Sequence, residues 1–283
     1  MFSINPFAEL ASAISPSIIQ GYIVLMFIMV VGGTILDMMH KKSAKYFFEN
    51  AEKAKKNAKR TLSGGEKASM AVATVANEVL TSGEFKSARR RISHLLTMYG
   101  FIIFVATTVW LIFGYTGGLE IAPLALTVLW HIGAIMLCLG GYWFWFFIRV
   151  DVASEGVKWY NFNGRGDLFI LGLIGMGTFA LLWSGTLASG GLLNMIFLAL
   201  FIVASTILFC SVFWSKFAHM FFKPAAAYQK RCIKADGSYE NLPDLGDLSD
   251  PELQAKFPDI PEYMGTNPPN MGLGIKSEAP RHF

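Results

Sequence analysis

The sequence predicts an all-α membrane protein: a five-transmembrane-helix bundle, N-terminus periplasmic and C-terminus cytoplasmic, with a cytoplasmic helical insert and an extended C-terminal tail. Three observations predict it. The 283 residues are 53% hydrophobic and only 16% charged, with mean hydropathy +0.44, a balance expected of a chain whose solvent is lipid. Five apolar runs reach the roughly 20 residues that a helix rising 1.5 Å per residue needs to cross about 30 Å of hydrocarbon. All 24 Lys and Arg fall in three polar segments that the five spans put on one side.

Residues 1–40 hold the first span, Ile18 to Met39, stopped by His40-Lys41-Lys42. No Lys or Arg precedes it, so the basic start of a cleavable signal peptide is missing and the N-terminus is expected to be retained. Residues 41–93 form a basic insert with 13 Lys or Arg against 5 Asp or Glu. Helix formers fill Lys41 to Arg60, Ser63-Gly64-Gly65 interrupts them, and Glu66 to Leu80 resumes the pattern, which predicts two helices and a turn. The basic face suits membrane lipid or a partner protein, and equally a solvated face that only sets topology.

Residues 94–224 carry the remaining spans. They run from Ile92 or His94 to Tyr115, Ile121 to Phe147, Leu168 to Ser184, and Leu192 to Trp214, with His219 expected in the last turn of the fifth. Counting cations orients them: 13 lie in the insert, 3 between residues 149 and 167, 8 after residue 215, and none elsewhere. The insert, the loop between spans three and four, and the tail are therefore cytoplasmic by the positive-inside rule. Trp110 and Trp183 at outer span ends, and Trp143, Trp145 and Trp214 at inner ones, suit interfacial belts. Residues 225–283 lose apolar periodicity and gather proline and acid, so they build no core of their own; an extended strap over a partner and plain disorder are both open.

Cys138, Cys210 and Cys232 form no CxxC pair, so iron–sulfur chemistry has to come from a partner. The sequence has no nucleotide-binding glycine motif, and no nucleic-acid partner is expected. The histidines carry the functional reading. Span two starts and span five ends on the cytoplasmic side, so His94 and His219 sit at matching depth and can hold one iron between two imidazoles. Small residues in spans two to four, among them Gly100, Gly140, Gly141, Gly172, Gly175 and Gly177, are places for a macrocycle or for close helix packing. Arg90 and Lys216 are candidates to pair with propionates, or charges that only set topology.

His131, ten residues into span three, is expected near mid-membrane. It is a candidate ligand of a second haem or donor to a quinone carbonyl, or else a histidine satisfied by a backbone carbonyl or a span-four Ser or Thr. Asp37 and His40, three apart on one helical face, are a candidate proton relay to a quinone, or an interfacial stop signal with Lys41 and Lys42.

The run Arg89-Arg90-Arg91-Ile92-Ser93-His94-Leu95-Leu96 with Tyr99-Gly100-Phe101, and Ser215-Lys216-Phe217-Ala218-His219 with Pro224, resemble the cytochrome b membrane subunits typified by the respiratory nitrate reductase gamma subunit. The short chain with its large insert is most similar to the membrane anchor associated with adenylylsulfate reductase in sulfur oxidisers. The resemblance covers roughly residues 85–224. It implies a multi-pass protein of the bacterial inner membrane that carries electrons between quinone and cytoplasmic iron–sulfur or flavin reductase subunits, with His94 and His219 as axial ligands of one haem b. The family's second ligand pair would fall near Phe104 and Phe201, which cannot bind iron, so a second haem of that kind is not expected. A haem-free structural anchor for the same partner is the alternative.

Overall fold

The computed structural model describes residues 2–41, 43–83, 85, 87–116, 121–152, 155–217, 219–240, 249–258, 261 and 266, without the side chains of residues 41, 43, 44 and 219. Most of the Pro-rich tail predicted beyond residue 240 lies outside the described residues. All regular structure among them is helical. Five helices are long and apolar enough to span a membrane: Pro16–His40, Ala88–Tyr115, Leu124–Ile148, Gly164–Thr186 and Gly191–Cys210. This chain is thus a multi-pass membrane protein by helix length and composition. It divides into two compact units, one of residues 1–43 with 89–222, the other of 44–88 with 223–283.

The first unit is the bundle. A short helix α1 (Pro6–Ala13), which the sequence reading passes over, precedes the first span. Asn5 caps it, its side-chain oxygen accepting from the Phe7 N–H at 3.1 Å, and Pro6 sits at the first helical position, where no donor is lost. The spans are α2 (Pro16–Lys41), α5 (Ala88–Tyr115), α6 (Leu124–Trp143, continued as a π-turn over Phe144–Ile148), α7 (Gly164–Thr186) and α8 (Gly191–Cys210).

Helices α5 and α6 meet backbone to backbone. A Cβ added at Gly100 would stand 2.7 Å from the Leu137 nitrogen, and one at Gly133 would stand 2.7 Å from the Phe104 nitrogen. The Ser93 hydroxyl donates to the Gly140 carbonyl across the same seam at 2.9 Å. Lipid-embedded helices gain their contact this way, because apolar side chains have no water to escape. Gly141, Gly172, Gly175 and Gly177 face Ile174, Leu208, Ala204 and Cys138 in the same manner, so the small residues serve helix packing.

The bundle core is aromatic at the end where α1 lies. Phe7 inserts edge-on between Trp130 and Trp183, with centroids 5.7 and 5.5 Å away. Phe104 packs on Trp130 at 5.1 Å and Phe201 stacks on Trp183 at 5.7 Å. Trp183 and Trp145, predicted to lie in interfacial belts, are both buried, the first in this cluster and the second beneath the Arg149 guanidinium. Trp110 and Trp214 remain exposed.

The fifth span is shorter than predicted. It stops at Cys210, where Ser211 leaves helical geometry and its hydroxyl back-bonds to the Leu208 carbonyl at 3.3 Å. Residues 211–217 form a turn, and His219 opens a new helix, α9 (His219–Ala235), instead of closing span five. That helix also corrects the expectation of an unstructured chain after Pro224. Pro224 removes one backbone donor near the helix start, and the helix formers Ala225 to Lys234 outweigh it.

The second unit joins the insert to the start of the tail. It holds α3 (Ser43–Asn57), α4 (Gly64–Thr74, continued as a π-turn over Val75–Leu80), most of α9, and α10 (Pro251–Lys256). Ser63 and Glu66 form a reciprocal capping box at the start of α4, with bonds of 3.2 and 2.8 Å. Within the unit the Lys59 and Arg60 amides donate to the Asp236 carbonyl, the Gln229 amide to the Phe47 carbonyl, and Arg231 pairs with Glu78 at 2.8 Å.

Candidate cofactor and quinone site

The predicted site residues belong to the Lys- and Arg-flanked end of the bundle, except His131. Helix α5 begins with Arg89 to Arg91 because these cations stop at the edge of the apolar run. His94 follows one turn after Arg90, so both half-buried side chains share a helical face. The backbone of His219 starts α9; its side chain lies outside the described residues. Just before it, Phe217 is buried edge-on against Phe101 of α5 at 6.3 Å and Phe169 of α7 at 5.5 Å. The Phe217 amide donates to the Ser215 hydroxyl, which fixes the turn locally. The segment leading into His219 is thereby fastened to the helix that carries His94.

Helix α2 meets the same turn. A Cβ at Gly33 would stand 2.9 Å from the Val212 Cβ, and Asp37, one turn on along that face, is 1% exposed. His40 is exposed and packs edge-on to Phe213 at 5.4 Å. The two predicted relay residues thus adjoin the segment that ends in His219.

The Lys216 ammonium pairs with Glu155 at 3.5 Å. Glu155 also approaches Arg149, the centre of a polar hub that the sequence reading counted only as a topology charge. Arg149 is fully buried. Its guanidinium bonds both Asp167 oxygens at 3.2 and 2.5 Å, donates to the Lys158 and Asn161 carbonyls, and lies 4.2 Å over the Trp145 ring. Asp167 also accepts from the Asn163 amide at 2.7 Å. These bonds use four of the five N–H donors of the cation, so the hub ties down the loop between α6 and α7. The available signal was Asn163 four residues before Asp167, a helix-start pattern with a carboxylate in its first turn.

Helix α6 starts at Leu124, so His131 is about 10 Å from its beginning, and its partner Ser184 is in the last turn of α7. The ring is 0% exposed. Nδ1 lies 2.7 Å from the Thr127 carbonyl and Nε2 2.7 Å from the Ser184 hydroxyl. A carbonyl only accepts, so Nδ1 carries the proton and Nε2 accepts from Ser184. Both nitrogens are committed, Trp130 and Phe2 cover the ring at 4.9 Å, and no lone pair remains for iron. Of the alternatives for His131, the geometry matches the backbone carbonyl and span-four serine together. Nearby, Phe104 packs on Trp130 and Phe201, and Phe201 on Trp183.

Among the described residues no three His, Cys, Asp or Glu side chains gather into a metal cluster. A haem iron needs only two protein ligands, fewer than such a cluster supplies. Comparison with protein-family models, with curated proteins and with solved structures finds no match for this chain.

Proposed function

We propose that this chain is the membrane anchor and electron-transfer subunit of an oxidoreductase complex of the bacterial inner membrane. It works between the quinone pool and a cytoplasmic iron–sulfur or flavin reductase, of which adenylylsulfate reductase is the partner the sequence resemblance suggests. The observation that carries this reading is the fastening of the His219 segment to the α5 helix of His94 through buried Phe217. In this reading His94 and His219 supply the two imidazoles for one b-type haem, which when bound provides one-electron chemistry. Arg90, on the face of His94, offers its guanidinium to a propionate. Asp37 and His40 hold and pass protons at the quinone, a carboxylate and an imidazole at the end of α2 where protons meet the membrane. The second unit, with its basic α3 and the tail, is the surface offered to the partner.

A second reading, a haem-free anchor for the same partner, draws on His131, both of whose ring nitrogens are engaged by Thr127 and Ser184. A reduced-minus-oxidised visible spectrum of the purified chain, supplied with haem, separates the two. A b-type signal near one haem per chain, lost in His94→Ala or His219→Ala and kept in His131→Ala, is expected. Folded, haem-supplied protein without that signal leaves the anchor alone.

A further inference from the structure

The chain from Arg149 to Asn163 joins α6 to α7, and its second half is bonded from within. The Val157 amide donates to the Arg149 carbonyl at 3.1 Å, and the Asn161 amide to the Lys158 carbonyl at 2.9 Å. From beneath, the buried Arg149 guanidinium donates to the Lys158 and Asn161 carbonyls at 3.1 and 2.7 Å. A loop in water has no need of a buried cation for its carbonyls, because water bonds them. A loop laid against lipid does need one, since nothing else there donates.

The outer side of the same stretch is aromatic. Trp159, Tyr160 and Phe162 are each more than half exposed. They continue a row of rings that starts on α6: Tyr142 stacks on Phe146 at 6.1 Å, Phe146 meets Trp159 at 6.2 Å, and Trp159 meets Tyr160 edge-on at 5.5 Å. Tyr142 and Phe146 are exposed on a helix with the length and hydropathy of a span, so lipid is their solvent and the row runs from lipid onto the loop. Phe162 stacks at 5.5 Å on Trp145, the ring under the Arg149 guanidinium, so the hub holds the rings in place beforehand. Cations flank them. Exposed Lys158 lies 5.7 Å over the Tyr160 ring, and exposed Arg165 is the second residue of α7.

We propose that this loop is a foot set into the headgroup layer of the membrane, with Trp159, Tyr160 and Phe162 among the lipids and Lys158 and Arg165 on the phosphates of anionic ones. Tryptophan and tyrosine settle at that depth because one end of each ring is apolar and the other bonds water. Cations beside them gain from anionic headgroups. The continuity with Tyr142 and Phe146 favours lipid over a water-borne protein, which would have to lift the row of rings from the bilayer to reach it. Trp159 thereby takes the interfacial place expected of Trp145, which is buried beneath the loop. The proposal stands apart from the haem and quinone reading and needs only that α6 and α7 cross the membrane.

The test uses the full chain with fluorinated tryptophan, in nanodiscs of phosphatidylcholine and phosphatidylglycerol, and follows fluorine NMR; Trp159→Phe assigns the Trp159 signal. Lipid carrying a nitroxide near its headgroup is expected to broaden that signal more than a water-soluble gadolinium chelate does. Stronger broadening by the chelate overturns the proposal and makes the loop a surface for a partner from water. With the nitroxide placed on either lipid in turn, labelled phosphatidylglycerol is expected to broaden Trp159 more than labelled phosphatidylcholine. Lys158→Gln with Arg165→Gln, both at exposed side chains, is expected to lower that preference about fivefold. Equal broadening by the two lipids in the parent chain, or a preference unchanged in the double variant, overturns the pairing with anionic headgroups.

Discussion

At the scale of single residues, two buried polar groups define what the bundle tolerates. Arg149 is held by a carboxylate, two carbonyls and an indole ring, so removing it leaves Asp167 charged in a site with little water. Arg149→Met is expected to cost about 3–5 kcal/mol, and Arg149→Met with Asp167→Leu to recover much of it, because the orphaned charge and not the lost attraction dominates. Thermal unfolding in detergent measures both. His131 makes the opposite point. As a ring with both nitrogens occupied by Thr127 and Ser184, it acts in packing, so Ser184→Ala and His131→Phe are each expected to lower the unfolding temperature by the equivalent of about 1–3 kcal/mol. Neither would alter the spectrum of a haem at the basic end. The Arg149–Asp167 pair was not legible from the chain alone, because the two meet only when the loop between them folds back; for His131 a backbone carbonyl or a span-four Ser or Thr stood among the alternatives, and which of them it takes depends on how α6 and α7 pack.

At the scale of elements, the seam between α5 and α6 is the least forgiving contact. Gly100→Ala would drive a methyl into the Leu137 backbone, at an expected cost of about 1–3 kcal/mol or more, whereas Gly21→Ala on α2 meets nothing within 4 Å and is expected to be silent. The capping box of α4 gives a pH-dependent test. The Ser63 amide, then Arg60 and the Ser63 hydroxyl, hold the Glu66 carboxyl below its ordinary range. A depressed folded value means that Glu66 supports α4 fully above the ordinary glutamate range, near pH 4.3, and that this support is lost as pH falls through the lowered value. Protection of the amides at the start of α4 against exchange, relative to their intrinsic rate at each pH, is therefore expected to fall in acid, and Glu66→Gln is expected to flatten that dependence. The spans and the break at Ser63-Gly64-Gly65 were legible because length, hydropathy and capping are local signals. The stop at Cys210 was not, since Leu192 to Trp214 is almost wholly apolar, and the helix ends at the back-bonding Ser211 ahead of the seat of Phe217. The passage of α9 through Pro224 was missed for the converse reason, a local breaker overridden by the residues after it.

At the scale of the whole molecule, the positive-inside rule predicts every cation on one side of the membrane, and that prediction has a direct readout. Cys232, in α9, is expected to react with a membrane-impermeant maleimide only after the inner membrane is opened, in a variant lacking Cys138 and Cys210. Labelling of intact spheroplasts would invert the topology and with it the side on which a reductase docks. The bundle and the polar unit differ in how much of each could be read beforehand. Five apolar helices announce themselves by composition, but the pairing of the insert with residues after 222 rests on backbone bonds such as Lys59 and Arg60 to Asp236, for which a sequence has no pattern. The candidate site stands between: its histidines were visible, their surroundings were not.

The wedge of Phe7 between Trp130 and Trp183 sets an order of events during biogenesis. A ribosome makes Phe7 long before either tryptophan, so α1 has to wait at the membrane surface while the later spans are inserted. Assembly of the bundle therefore waits on Trp183 to seat Phe7, and a chain arrested before Trp183 exposes an unseated phenylalanine that membrane quality control can recognise.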